Sequence, residues 1–133
     1  MTEPLWLSRT VVEALHSDQM REHGGQLGLR DAGLLESARA RAQHGWACEK
    51  DVDLQTLAAA YGFGLAKNHA FLDGNKRIAF VSMNVFLILN GLEIEAPEPE
   101  VVTTMLGVAQ GKIDQADLAT WLRAVTRPYQ QGK

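Results

Sequence analysis

Apolar positions recur at helical spacing through nearly the whole chain. Val11, Val12, Leu15 and Met20 predict a first helix from about Ser8 to His23, with Ser8 as N-cap and Gly24-Gly25 as its stop. Gly24 to Arg30 reads as a loop. Asp31 then caps a second helix carrying Leu34, Leu35, Ala38 and Ala42, and Gly45 to Asp53 is expected to be a polar connection holding Trp46 and Cys48. With Asp53 as cap, Leu54, Leu57, Ala58, Tyr61, Leu65 and Ala66 define one face of a third helix ending near Asn68. The fourth, from about Gly74 to Asn90, is apolar nearly all round, the pattern of a helix surrounded by others. Asn90-Gly91 ends it with residues that tolerate a left-handed conformation.

The acidic stretch Leu92 to Pro99, with two prolines, is expected to be a solvated loop with room for a short extended piece at Leu92 to Ile94. Val101, Val102, Met105, Leu106 and Ala109 predict a fifth helix, and Gly111-Lys112 a turn. Asp114 caps a sixth helix carrying Leu118, Trp121, Leu122 and Val125, and Asp117 gives a loose capping box. Tyr129 to Lys133 is expected to fray. The reading is all-α: one domain spanning residues 1–133, a compact bundle of about six helices around a buried central one.

Composition narrows the function classes. At 133 residues the chain can bury a real core, and its formal charge of −3 argues against bulk attraction to nucleic acid. Met1 to Leu7 has acidic Glu3 and no long apolar run, so it does not read as a signal peptide. Ile78 to Leu89, broken by Ser82 and Asn84, would rise only about 18 Å as a helix, too short for a bilayer. Cys48 stands alone, which excludes an intrachain disulfide and fits a reducing cytoplasm. His16 and His23 lie seven apart, but with Cys48 they match no zinc spacing. His44 has no evident role, and Trp6, Trp46 and Trp121 are read as core or groove residues.

The chemistry concentrates in His69 to Arg77, His-Ala-Phe-Leu-Asp-Gly-Asn-Lys-Arg, directly before the fourth helix. An imidazole there can accept a proton. The Asp73 carboxylate can hold a magnesium ion, or merely cap the helix. A Gly74-Asn75 turn exposes backbone N–H groups to an anion. Lys76 and Arg77 are cations at a helix start, where the dipole mildly disfavours them unless an anionic partner is present.

This stretch resembles the core motif of the Fic/Doc superfamily, His-x-Phe-x-Asp/Glu-Gly-Asn-Gly/Lys-Arg. A second block, Gly24 to Ala38, is similar to a segment of death-on-curing (Doc) toxins, and the C-terminal part fits their length and helix layout. The resemblance implies the Fic/Doc fold with His69 as general base, Asp73 as the ligand of a Mg²⁺ bridging nucleotide phosphates, Gly74, Asn75, Lys76 and Arg77 as phosphate binders, and Phe71 as the apolar anchor of the loop. Where AMP-transferring Fic proteins have glycine, this chain has Lys76, and where they carry a second arginine it has Phe80. Doc toxins share the lysine. The implied reaction is therefore transfer of the terminal phosphate of ATP to a threonine hydroxyl of elongation factor Tu, which stops translation. Gly74 is Fic-like, since some Doc proteins carry alanine there, so nucleotidyl transfer remains the alternative. A non-catalytic binding module is a third. An antitoxin whose disordered C-terminal segment folds into a groove is the implied partner, with no membrane and no direct nucleic-acid contact. Arg30, Asp31, Glu36 and Ser37 belong to the Doc-like block, and the sequence assigns them no chemistry beyond capping and packing.

Overall fold

The computed structural model describes residues 2–49 and 51–130. Six helices carry the chain: α1 (Arg9–His23), α2 (Ala32–Cys48), α3 (Leu54–Asn68), α4 (Asn75–Leu89), α5 (Glu98–Ala109) and α6 (Gln115–Val125). Two three-residue strands, β1 (Leu92–Ile94) and β2 (Thr126–Pro128), pair antiparallel with Glu93 opposite Arg127. Four helices start as the side chains dictate. Ser8, Asp31, Asp53 and Asp114 accept N–H bonds from Val11, Leu34, Thr56 and Asp117. Asp117 donates this bond through its backbone N–H.

The central helix is α3, which packs against α2, α4, α5 and α6. The apolar pattern of α4 pointed to α4 instead. Small residues explain the difference. Ala58, Ala59, Ala60, Gly62, Gly64 and Ala66 let neighbours approach α3 from every side. A methyl group on Gly64 would sit 3.0 Å from the Ala38 backbone of α2, so a side chain there would push the two helices apart by a few tenths of an ångström. Helix α4 buries Ile78, Ala79, Met83, Phe86 and Leu87 against this hub but leaves Leu89 exposed. Trp6 and Tyr61 pack on Phe86 with ring centroids 5.8 and 5.1 Å away. The Tyr61 hydroxyl accepts the N–H of Leu7, at 3.0 Å, which seals the N-terminal segment over the core.

Three boundaries differ from the sequence reading. Gly45 to Cys48 continues α2, because Trp46 packs against the core and Gly45 faces Leu57. Only Glu49, Asp51, Val52 and Asp53 of the connection are described outside a helix. Helix α5 begins at Glu98, with Pro99 in its first turn, where a missing N–H costs nothing. The acidic stretch is thus not merely a solvated loop: Glu93 and Glu95 both pair with Arg127 of β2, and Glu100 accepts from the Trp121 indole. Tyr129, expected to fray, is tied down, its N–H bonding to the Gly91 carbonyl; residues 131–133 of the expected tail lie outside the described part. Gly91 takes the positive φ after α4, whereas Asn90 uses its side chain to bind both backbone groups of Leu5.

Candidate active site

Helix α3 ends on a reversal. His69 is its C-cap in the left-handed region, at φ 51° and ψ 49°, a conformation rare outside glycine but tolerated by histidine. Arg30 holds the reversal, its guanidinium donating to the carbonyls of His69 (2.7 Å) and Asn68 (3.2 Å). Those carbonyls belong to the last turn of α3, where a cation also suits the dipole. The Arg30 and Asp31 N–H groups both bond to the Ala70 carbonyl, and the Leu72 N–H bonds to Gly28. Leu29 thereby forms a bridge with Phe71. The Doc-like block lies alongside the motif loop and fixes its path.

Phe71 is buried and its ring lies flat on the His16 imidazole, with centroids 3.8 Å apart and planes 11° apart. This stacking seats the motif loop against α1. The Asn75 side chain then closes the turn: its carbonyl accepts the Phe71 N–H (3.1 Å) and its amide donates to the Phe71 carbonyl (3.0 Å). Asn75 therefore spends its side chain on the loop, leaving its backbone N–H for an anion.

Asp73 follows at the rim. Its carboxylate accepts N–H bonds from Gln26 (3.0 Å) and Gly74 (2.8 Å). These two bonds, aided by Arg77, hold its carboxyl below the usual carboxylate range, so the group is a permanent anion near neutrality. Gly74 takes φ 72° and serves as N-cap of α4 without any side-chain cap. The N–H groups of Asn75, Lys76 and Arg77 thus point out of the helix start with no intrahelical acceptor. Lys76 and Arg77 are exposed and form no salt bridge among the described residues.

A cleft of about 650 Å³ opens at this point. Asp73, Gly74, Asn75, Lys76 and Arg77 line one end, and Phe80, Val81, Val101, Val102 and Met105 give it an apolar wall between α4 and α5. His69 is exposed and is not among the residues that line the cleft. Its imidazole has no hydrogen-bond partner among the described residues. No group of three or more histidine, cysteine or acidic residues that could hold a metal occurs among those residues. Asp73 nonetheless suits Mg²⁺, an ion commonly held by one or two carboxylates with phosphates and water completing its octahedron.

Sequence reasoning missed two residues here. Arg30 was visible as part of a familiar block but carried no role. His16 was visible only as a histidine on a helix face. Its ring is buried, and its Nε2 lies 2.8 Å from the Asp73 carbonyl. Nothing in the spacing of either residue reveals a partner 38 or more positions away.

The model for the Fic/DOC family matches residues 6–87, and the chain belongs to that family. The protein named Protein kinase doc, of Escherichia phage P1, is 36% identical over 110 residues, which cover 83% of this chain and 86% of that one. Toxin Doc of Mycolicibacterium smegmatis is 46% identical over 77 residues, 55% of this chain and 57% of its own. No helix among the described residues is long and apolar enough to cross a membrane.

Proposed function

We propose that this chain is the toxin of a toxin–antitoxin pair, a Mg²⁺- and ATP-dependent phosphotransferase acting in the cytoplasm on a threonine hydroxyl of elongation factor Tu. The observation that carries the reading is the uncapped start of α4, which opens on a cleft with Lys76 and Arg77 in its first turn and Asp73 at its rim. The two relatives, named as a kinase and a toxin, support it.

The terminal phosphates of ATP sit on the N–H groups of Asn75, Lys76 and Arg77, where the helix dipole and two cations neutralise their charge. Lys76 supplies a point charge and fills the space a glycine would leave open. Asp73 would hold Mg²⁺, which would supply positive charge against the phosphate oxygens. His69 takes the proton of the target hydroxyl as its oxygen bonds to the γ-phosphorus. The bond from that phosphorus to the β–γ bridging oxygen breaks, and ADP leaves. Little covalent chemistry is asked of the protein, so positioning and charge supply most of the rate. An antitoxin segment, disordered when free, is the proposed partner that silences it.

The test is transfer from ATP labelled at the α or the γ phosphate to elongation factor Tu, with His69→Ala as control. Label from γ alone, reduced at least about 10²-fold in the control, is the expected result. Label from α moves the assignment to nucleotidyl transfer. Full growth arrest by the His69→Ala, Asp73→Asn double variant would replace an enzyme by a binding module.

A further inference from the structure

We infer that His16 of α1 is a positioning residue that sets the Asp73 peptide, and through it the metal-holding carboxylate and the first N–H groups of α4. The inference rests on the phosphotransfer reading for its functional consequence, but its geometric content stands apart from it. The Asp73 carbonyl is an acceptor only, so at 2.8 Å the His16 Nε2 must be the donor. The ring is 2% exposed, so this bond has no ready water to replace it. Stacking on Phe71 fixes the plane of the ring and leaves it one direction in which to donate.

Met20, one turn further along α1, completes the support. A methyl group on Gly74 would fall 2.3 Å from the Met20 Cε and 3.7 Å from the His16 Nε2, so the end of Met20 fills the space beside Gly74 and His16 lies next to it. The same peptide carries the Gly74 N–H that the Asp73 carboxylate accepts. Moving its carbonyl therefore swings the carboxylate off Gly74 and off the Gln26 N–H. Partners that hold a metal-binding residue in this way commonly matter almost as much as the ligand, at about tenfold or more when removed.

Two substitutions separate the properties of the ring. His16→Phe keeps the stacking and loses the donor. His16→Gln loses the stacking but carries an amide N–H to nearly the same point. Expected for His16→Phe is an approximately tenfold rise in the Mg²⁺ needed for half-maximal transfer, with His16→Gln close to the parent. In metal-free, nucleotide-free protein, amide exchange at Gln26 and Gly74 should speed up in His16→Phe and return toward the parent rate in His16→Gln. Equal behaviour of the two variants, or parental Mg²⁺ dependence and exchange in His16→Phe, would overturn the inference. If the parent transfers no phosphate, the functional reading fails while the exchange comparison still decides the role of His16. Should His16→Phe not fold, His16→Asn takes its place, its amide being too short to reach the carbonyl.

Discussion

The Asn75 side chain grips both backbone groups of Phe71, so the residue at the start of α4 ties back the loop that leads into it. Truncation by Asn75→Ala leaves an N–H and a carbonyl of a buried residue without partners. A loss of about 1–3 kcal/mol in denaturant unfolding is expected, with transfer falling further than stability. Asn75→Asp keeps the acceptor and adds a charge the helix dipole favours. It should recover part of the stability while weakening nucleotide binding. Undiminished stability in Asn75→Ala would show that the clip contributes nothing.

Gly74 sits at φ 72° with the flexible end of Met20 where a β-carbon would be. Gly74→Ala therefore meets two costs: left-handed strain of about 1 kcal/mol and a displaced methionine that can swing aside. Its melting temperature should fall by a few degrees. The further variant Met20→Ala in that background should relieve the crowding but not the strain, and melting curves of the pair measure each part.

Arg30 bonds the carbonyls of Asn68 and His69 from an exposed position. Arg30→Ala should lower stability by roughly 1 kcal/mol and reduce transfer through the misplaced His69 backbone. Arg30→Lys supplies one donor direction instead of a fork and should fall between the two. Transfer lost with an unchanged melting temperature and unchanged loop amide shifts would instead place Arg30 in contact with substrate.

Asp53 gives the pH dependence a definite sign. Burial alone would raise its carboxyl, but the Arg123 guanidinium and two bonds from Thr56 hold it below the usual range. A group whose pKa is lower folded than unfolded adds stability above the unfolded value, about 3.9, and loses it as pH falls through the folded one. Asp53→Asn should therefore melt well below the parent at pH 7, and the gap should shrink toward pH 3. A gap that stays constant would mean that Asp53 acts only as a neutral cap of α3.

Helix starts and apolar faces were legible because both are local. Ser8, Asp31, Asp53 and Asp114 each announce a helix by a bond to a residue three positions on. The choice of central helix was not legible, since α3 owes its place to small residues that scales of apolarity rank low. The end of α2 and the start of α5 were obscured for a similar reason. Gly45 and Pro99 look like breakers, yet packing on Leu57 and a first-turn position make each compatible with helix. In the site, His69, Phe71, Asp73, Gly74, Asn75, Lys76 and Arg77 were all singled out by one contiguous pattern. The structure separates them: Asn75 serves the loop with its side chain, Phe71 is buried, and His69 is not among the cleft-lining residues, whereas Asp73 to Arg77 are. Residues that support them from α1 and from the 24–31 segment act across long stretches of chain, and only the folded geometry joins them.

The seam between residues 24–31 and 68–73 has a consequence for recombination within the family. Its bonds run mostly from backbone to backbone or from a side chain to a carbonyl, so they are largely indifferent to side-chain identity on the far partner. The exceptions are Arg30, the glycines that keep side chains out of the seam, and Asp73. A chimera that grafts the motif loop of one relative onto the first two helices of another should fold wherever these few positions are kept. The chemistry of the graft can then diverge while its frame is inherited unchanged.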